Sequence, residues 1–186
     1  YISGSPNPPI GNQVKHLLII LSLLLLSSPV IGHPKGEHTL YKWRISSGYV
    51  WKTFGDDETQ IKYKGEVSLN GEPNGVGIMT LPNGEKYVGE WKNGIPNGQG
   101  IQTYPDGGMY RGEWENGKKN GQGTGIYTDG EKYEGGWKDD KKNGQGTGIY
   151  PDGSKYVGEY KNNKRWNGIL YYKNGNIQDK IENGKW

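Results

Sequence analysis

The stretch Gly100–Trp114, which reads GIQTYPDGGMYRGEW, decides the fold. Two short segments of strand-favouring residues flank Pro105–Gly107, where proline presets φ, aspartate bonds to its local backbone and glycine accepts a positive φ. The pattern predicts a β-hairpin. On its second strand the side chains alternate, so Tyr110, Gly112 and Trp114 share one face. A glycine between two rings leaves room for an aromatic ring from an adjacent strand.

This stretch recurs along the chain with a period of 23 residues. Periods of twenty to fifty residues indicate units that bury their apolar faces against their neighbours. The sequence therefore predicts an all-β protein of consecutive antiparallel β-hairpins, one per repeat, stacked into an elongated, twisted single-layer sheet. At about 4.8 Å per strand, five units extend over roughly 50 Å. The series that carry the period are Tyr87, Tyr110, Tyr133 and Tyr156; Gly77, Gly100, Gly123 and Gly146; and Asn74, Asn97, Asn120 and Asn143.

The segments Tyr87–Trp91, Tyr110–Trp114 and Tyr156–Tyr160 resemble the MORN (membrane occupation and recognition nexus) repeat, and linkers such as Asn97–Gly100 belong to the same pattern. The resemblance covers residues 63–186 and implies an array of five to six hairpins. The residues expected to build the repeats are Tyr63, Gly65, Tyr87, Gly89, Trp91, Tyr110, Gly112, Trp114, Tyr133, Gly135, Trp137, Tyr156, Gly158 and Tyr160.

The chain departs from the repeat pattern at four places. Gly136 stands where other copies have glutamate, Tyr160 replaces tryptophan, and Asn70–Pro73 distorts the first copy. The end, Gly168–Gly175, is shifted by one residue and also resembles the Tyr-x-Asn-Gly repeats of bacterial antitoxin-like proteins. Terminal repeats are expected to be atypical because one side has no neighbour.

The apolar run Leu17–Leu26 follows Lys15 and precedes small residues, which is the layout of a secretory signal. The run is shorter than the roughly 17 to 25 residues that cross a bilayer as a helix. We therefore predict a signal helix within residues 14–32, cleaved before His33, with a retained membrane anchor and a buried helix as alternatives. Residues 1–13 are interpreted as a non-native or disordered leader, with translation starting at Val14. These features predict an exported bacterial protein, periplasmic or extracellular, or membrane-anchored if the signal is retained.

Residues 33–62 lack the period but are rich in aromatic residues. We interpret them as an N-terminal cap on the first hairpin, with a ligand-facing aromatic patch as the alternative. Asp56–Glu58 lacks the alternating oxygen ligands and the glycine of a calcium loop. It is therefore predicted to be a solvated acidic loop, and no metal site is predicted.

Two patterns in the repeats imitate catalytic motifs. Gly121–Gly125 and Gly144–Gly148 resemble phosphate-cradling loops, but they recur at the repeat period with no helix after them, so we place them at turns between hairpins. Glu90, Glu113 and Glu159 share one repeated environment, whereas glycoside hydrolysis needs two carboxyls in different environments. They are predicted to be structural or solvent-facing.

No catalytic, cofactor-binding or metal-binding residue is predicted. The chain has no cysteine, and its three histidines, His16, His33 and His38, all precede the repeats. The formal charge is +3, and basic residues alternate with acidic ones, which argues against nucleic-acid binding. MORN repeats are also found joined to phosphatidylinositol phosphate kinase domains, so a kinase label could be borrowed from them, but no such domain fits in this chain.

The resemblance implies a non-enzymatic interaction scaffold whose partner is a protein, a membrane surface, or both. Lys86, Lys132 and Lys155 recur beside the repeated tyrosines and are the candidate surface-binding residues, with a solvated face as the alternative. A second hypothesis is carbohydrate or cell-wall binding through regularly spaced tryptophans, which requires an open groove rather than rings packed between hairpins. The sequence predicts neither the identity of the partner nor the oligomeric state.

Overall fold

The computed structural model describes residues 37–185, and the predicted leader and signal helix lie outside this part of the chain. The described residues form one antiparallel sheet of 13 strands. From β3 to β13 each strand pairs with the next, and β1 lies between β3 and the edge strand β2. The all-β, single-layer hairpin fold predicted from the sequence is confirmed. The strands are β1 (His38–Ile45), β2 (Gly48–Lys52), β3 (Lys62–Val67), β4 (Pro73–Thr80), β5 (Lys86–Lys92), β6 (Ile95–Thr103), β7 (Met109–Glu115), β8 (Lys118–Ile126), β9 (Lys132–Lys138), β10 (Lys141–Ile149), β11 (Lys155–Lys161), β12 (Lys164–Tyr171) and β13 (Ile177–Ile181).

The turn at Pro105–Gly107 joins β6 to β7, as predicted from the stretch Gly100–Trp114. The Tyr104 amide donates a hydrogen bond to the Gly108 carbonyl at 2.9 Å, and the Gly107 amide donates to the Tyr104 carbonyl at 3.0 Å. The Asp106 carboxylate accepts the Gly108 amide at 3.0 Å. Gly107 has a φ of 93°, which favours glycine at this position.

A second kind of turn joins one hairpin to the next. Asn93 and Gly94 have φ values of 51° and 75°, and two consecutive left-handed residues define the tight turn that suits twisted strands. The Gly94 amide donates a hydrogen bond to the Pro73 carbonyl of the preceding repeat at 2.8 Å. Each such turn therefore ties one repeat to its neighbour. The equivalent bonds run from Gly117 to Pro96, from Asp140 to Lys119, from Asn163 to Lys142 and from Gly184 to Trp166.

The placement of Gly121–Gly125 and Gly144–Gly148 at turns is wrong, because both segments lie inside strands β8 and β10. Gly123 pairs with Gly112 across the sheet, and a Cβ atom on Gly123 would lie 2.6 Å from Tyr110 Cε2. The glycines are needed because a tyrosine ring crosses the backbone at each pair. A Cβ on Gly123 would strike the Tyr110 ring, and a Cβ on Gly112 would strike the backbone of β8 at the Gln122 carbonyl oxygen and Gly123 Cα.

The core is a single row of aromatic rings on one side of the sheet. Tyr87 is 1% exposed, and its hydroxyl donates a hydrogen bond to the Glu90 carbonyl at 2.9 Å. The ring of Trp91 meets Tyr63 and Tyr87 edge-on, with centroid distances of 5.0 and 5.4 Å. Tyr160 continues the row where tryptophan is absent, at 4.8 Å from Tyr133. The repeat residues with buried side chains are Tyr63, Tyr87, Trp91, Tyr110, Trp114, Tyr133, Trp137, Tyr156 and Tyr160.

Both ends of the described sheet differ from the central repeats. The hairpin of β1 and β2 extends the sheet, and Trp51 packs on Tyr63 with a centroid distance of 5.9 Å. At the other end the register of β12 against β13 shifts between Leu170 and Tyr171. The one-residue shift of the last sequence repeat arises earlier, where β12 has two residues between Arg165 and Gly168 and β10 has three between Lys142 and Gly146.

The buried tyrosines predict a steep loss of stability at alkaline pH. Burial raises the pKa of buried Tyr133 and of half-buried Tyr104 to about 12. Unfolded tyrosines ionise near pH 10, so above that pH the unfolded state holds fewer protons than the folded state. The contribution of these groups to the free energy of unfolding is complete below about pH 10 and is lost between about pH 10 and 12. Tyrosinate absorbance and circular dichroism should change together in this window; ionisation near pH 10 without unfolding would contradict the prediction.

Candidate binding surfaces

The two faces of the sheet carry different side chains. We call the side that bears the buried rings of Tyr87 and Trp91 the aromatic face, and the other side the opposite face. Lys119 pairs with Trp114 across β7 and β8, and a bulge after Gly112 sets this register. Lys119 therefore belongs to the aromatic face, among the rings.

Three tyrosine and cation pairs recur on the aromatic face, and we call them the tyrosine–cation ladder. Lys119 Nζ donates a hydrogen bond to Tyr104 Oη at 2.8 Å. Lys142 Nζ lies 4.6 Å from the centroid of the Tyr127 ring. In the third pair Arg165 Nε donates to Tyr150 Oη at 2.9 Å.

Each ladder cation also lies over a ring of the core. Lys119 Nζ is 5.1 Å from the Tyr110 centroid and 5.6 Å from the Trp137 centroid. Lys142 and Arg165 lie 5.1 and 5.7 Å from the rings of Tyr133 and Tyr156. Each cation is thus held between a core ring and a ring at the surface. Such cation–π contacts contribute about 0.5 to 2 kcal/mol each, more where water is excluded.

Burial changes the titration of the first ladder pair. It raises the pKa of Tyr104 to about 12 and lowers the pKa of Lys119, although nearby Asp140 and Glu85 act in the opposite direction on Lys119. An open groove of about 250 Å³ lies beside this pair, and Gly108, Tyr127 and Trp137 line it with Tyr104 and Lys119. A cation and several rings therefore meet in one concave site.

The ladder is absent from the predictions made from the sequence, although its signal is present there. Tyr104, Tyr127 and Tyr150 keep the period of 23 residues, as do Lys119, Lys142 and Arg165. Proline occupies the cation position in the first two repeats, at Pro73 and Pro96, so the basic series begins only in the third repeat. The two members of a pair are 15 residues apart, and only the strand register shows that they touch.

The predicted surface lysines lie on the opposite face. The register places Lys86, Lys132 and Lys155 in one row across the strands, and the residues between them are Thr103, Met109, Ile126 and Ile149. Lys132 pairs with Glu134 at 3.2 Å, and Lys155 lies 5.3 Å from the Tyr171 ring. The row therefore contains three lysines separated by uncharged residues. One of these lysines, Lys132, already has an ion-pair partner.

The repeated glutamates lie on the opposite face and bond to the neighbouring strand. Glu90 Oε1 accepts the Gln99 amide at 3.1 Å, and Glu113 Oε1 accepts the Gln122 amide at 2.8 Å. Glu159 Oε2 accepts a hydrogen bond from the Asn167 amide group at 2.9 Å. At the fourth copy, a Cβ on Gly136 would collide with the Asn143 carbonyl oxygen, so no side chain fits there. These carboxylates bridge strands and form no pair.

The acidic loop before β3 is held by its own hydrogen bonds. Asp57 pairs with Lys62 at 2.7 Å and accepts the Tyr41 hydroxyl at 2.7 Å. The Asp56 carboxylate accepts the Glu58 amide at 2.8 Å. Within residues 37–185, no group of three or more His, Asp or Glu side chains could hold a metal ion. Exposed Tyr49 leaves an aromatic patch at this end of the sheet.

The tryptophans that motivated the carbohydrate hypothesis are in the core. Trp91, Trp114 and Trp137 are all buried, each edge-on to neighbouring tyrosines. That hypothesis relied on rings lining an open groove; of these three only Trp137 borders the groove beside Lys119, and it is 6% exposed. In the described part of the chain no helix is long and apolar enough to span a membrane.

No curated protein matches this chain. Among solved structures, it is similar to the SAS-4 (dCPAP) TCP domain of Drosophila melanogaster, in complex with a proline-rich motif of Ana2 (dSTIL), with 13% identity, coverage of 81% of this chain and 92% of that one, and a TM-score of 0.39. It is also similar to the E1021V mutant of the TCP10 domain of Danio rerio CPAP, with 14% identity, coverage of 77% and 89%, and a TM-score of 0.21.

The family comparison agrees with the repeat period and with the strand pairing. The family model of the MORN repeat matches five consecutive segments, residues 63–86, 87–109, 110–132, 133–155 and 156–177. Each of the first four segments contains two strands of the sheet described above. The chain therefore belongs to the MORN repeat family.

Proposed function

We propose that the chain is a non-enzymatic repeat scaffold that binds an elongated protein segment along the tyrosine–cation ladder. The observation that carries this proposal is the ladder itself, with three equivalent pairs on one face of the sheet. Similar groups at regular intervals suit a long partner, whereas catalysis needs groups in distinct environments. Tyrosine and arginine are also the residues that most often dominate binding energy at protein interfaces.

The spacing of the ladder supports an extended partner. Successive pairs are two strands apart, which is about 9.6 Å. An extended chain rises about 3.3 Å per residue, so every third residue of a segment running across the strands meets the next pair. The ladder tyrosines are already held by neighbouring groups, so little conformational entropy is lost when a partner packs on them.

Site-specific photo-crosslinking tests the proposal. Tyr127 on the ladder and Val157 on the opposite face are similarly exposed, at 38% and 40%. A photoreactive phenylalanine analogue at Tyr127 should form a covalent adduct with a protein in an extract of the native host. The same analogue at Val157 is the matched control and should form little or none. Adducts from Val157 alone, or from neither position, would contradict binding at the ladder.

The row of Lys86, Lys132 and Lys155 favours a second candidate function, attachment to an anionic membrane surface. Lysines near such a surface contribute about 1 kcal/mol each, and salt weakens the attraction. If this function operates, the chain should sediment with vesicles that contain phosphatidylserine and not with phosphatidylcholine vesicles. Lys86→Gln, Lys132→Gln and Lys155→Gln together should abolish the difference, and raised salt should do the same. Equal sedimentation of the triple variant would reject this candidate.

We also propose that the protein is exported, on the basis of the apolar run Leu17–Leu26. Fractionation of the native host and mass mapping of the mature N-terminus test this. A chain beginning near His33 in a soluble extracytoplasmic fraction supports export with cleavage. A membrane-bound chain that retains Leu17–Leu26 would indicate an anchor, and a full-length chain inside the cell would contradict export.

A further inference from the structure

Two neighbouring repeats differ at one position beside the ladder cation. Lys142 forms an ion pair with Glu131, and the two side chains are only 12% and 24% exposed. One repeat earlier, Lys119 occupies the place of Lys142, but Gly108 occupies the place of Glu131. Within residues 37–185, Lys119 forms no ion pair through its side chain, and its Nζ donates to Tyr104 Oη at 2.8 Å.

The missing carboxylate leaves space at Gly108. A Cβ atom there would lie 3.2 Å from Asp106 Oδ1 and 3.5 Å from Tyr104 Cδ2, so the contacts are ordinary or are with the end of a side chain. The groove of about 250 Å³ lies at this point, and both Gly108 and Lys119 line it. In the next repeat Glu131 reaches Lys142 from the equivalent position.

Three carboxylates lie near Lys119, and each is hydrogen-bonded to a group other than the Lys119 ammonium. Asp106 also lines the groove, and its carboxylate accepts the Gly108 amide at 3.0 Å. Asp140 accepts the backbone amide of Lys119 at 2.9 Å, and Glu85 bonds to Gln102. Burial outweighs the attraction of Asp140 and Glu85 and lowers the pKa of Lys119. A cation that has lost part of its hydration and lacks an ion-pair partner gains most from a carboxylate.

We infer that the groove between Tyr104 and Tyr127 is a carboxylate socket, which takes a glutamate or aspartate side chain of a protein partner onto Lys119. Glu131 shows the group that fits, because it is the carboxylate that the same fold places on the same cation one repeat later. The carboxylate accepts from Lys119 Nζ, and the aliphatic part of the ligand packs against the rings of Tyr127 and Trp137. The inference rests on the proposed scaffold function only in assigning the carboxylate to a protein.

A minimal probe tests the socket. N-acetyl-glutamate N-methylamide is titrated into the full chain, and the glutamine analogue serves as the neutral control. The shifts of the Lys119 ε-methylene and Trp137 indole NMR signals should saturate with one site and a Kd on the order of 1 to 10 mM. The glutamine analogue and the Lys119→Gln variant should each bind at least about tenfold more weakly. Equal binding of the glutamine analogue, or of inorganic phosphate, would overturn a carboxylate socket.

The repeats also offer a reciprocal pair of substitutions. Gly108→Glu should fill the socket from within the chain and abolish probe binding, while the stability of the protein stays the same or rises. Glu131→Gly should open a second socket on Lys142 and raise the stoichiometry from one probe to two. Since Gly108→Glu is expected to remain folded, lost binding there does not reflect unfolding. Unchanged binding by Gly108→Glu, or an unchanged stoichiometry in Glu131→Gly, would overturn the inference.

The socket and the scaffold function fail in different ways. If the probe does not bind while position 127 still crosslinks to a protein, the socket is overturned and the scaffold stands. If the probe binds Lys119 but position 127 crosslinks to nothing, the scaffold is overturned, and the carboxylate comes from a small molecule instead of a protein. If Gly108→Glu removes both probe binding and crosslinking, the partner's acidic side chain occupies the socket.

Discussion

Replacing Tyr87 with alanine should lower the free energy of unfolding by about 3 to 5 kcal/mol, the usual cost of removing a buried aromatic ring. Tyr87 is 1% exposed, meets Trp91 and Trp114 edge-on with centroid distances of 5.4 and 5.0 Å, and donates a hydrogen bond to the Glu90 carbonyl. Removing the Tyr87 ring therefore removes contacts in two adjacent repeats at once. Urea denaturation monitored by circular dichroism measures the change.

Two control variants distinguish the contribution of the buried ring from that of its hydroxyl hydrogen bond. Tyr172→Ala, at an exposed tyrosine, should change the free energy of unfolding by no more than about 0.5 kcal/mol. Tyr87→Phe keeps the ring and removes only the bond to Glu90, so it should cost about 1 kcal/mol. Hydrogen exchange should increase most in β4–β7, because stability in a stacked array is a sum over neighbouring repeats. A Tyr87→Ala variant as stable as Tyr172→Ala would show that the ring is not part of the core.

Adding a methyl group to either glycine of the pair beneath Tyr87 should cost about 3 kcal/mol. Gly89 and Gly100 lie opposite each other on β5 and β6. A Cβ on Gly100 would be 2.5 Å from Tyr87 Cε2, and its three nearest neighbours are all Tyr87 atoms. A Cβ on Gly89 would instead be 2.5 Å from the Gln99 carbonyl oxygen and 2.5 Å from Gly100 Cα. The first clash is with the Tyr87 side chain alone, whereas the second is mainly with the backbone, with Tyr87 Oη also at 2.6 Å.

A double-mutant cycle distinguishes these two clashes. In a Tyr87→Ala background, Gly100→Ala should cost about 1 to 2 kcal/mol less than in the native chain, because the ring it strikes is gone. Gly89→Ala should keep most of its cost, since the backbone of β6 does not move away. Equal coupling of both glycines to Tyr87, measured by urea denaturation, would contradict this account of the pair.

The types of buried ring also explain why one face of the sheet is sufficient as a core. The chain has one phenylalanine but 14 tyrosines and seven tryptophans. Five of the six buried tyrosines bond through the hydroxyl to the carbonyl three residues later, as Tyr110 does to the Glu113 carbonyl at 3.0 Å, and the exception is Tyr160. Rings of this kind can be buried in a single layer, because their hydroxyls remain hydrogen-bonded there. The same layer brings the ladder cations close to aromatic faces.

Much of the architecture could be predicted from individual residues. The turn at Pro105–Gly107 follows from local backbone preference, and alternation places Tyr110 and Trp114 on one face without any tertiary information. Because the pattern repeats every 23 residues, the same turn and the same placement of the rings on one face are expected in every other copy. By contrast, the glycines of Gly121–Gly125 were misplaced at a turn. A glycine that permits a turn and one that admits a ring look alike in sequence, and only the strand opposite separates them.

The ladder and the socket could not be predicted from the same pattern. Lys119 meets Tyr104 because the bulge after Gly112 places Lys119 opposite Trp114, and a shift of one residue would have turned its side chain to the other face. Gly108 becomes informative only when a half-buried lysine, Lys119, is known to line the same groove.

The sequence by itself determined the fold class, the repeat length and the rings that form the core, since these depend on local turn preference and on side-chain alternation along one strand. Tertiary structure alone decided which glycines lie under rings, which cations lie among them, and where a carboxylate is missing. Those features depend on register between strands, and register is fixed by the packing of residues that are distant in the chain.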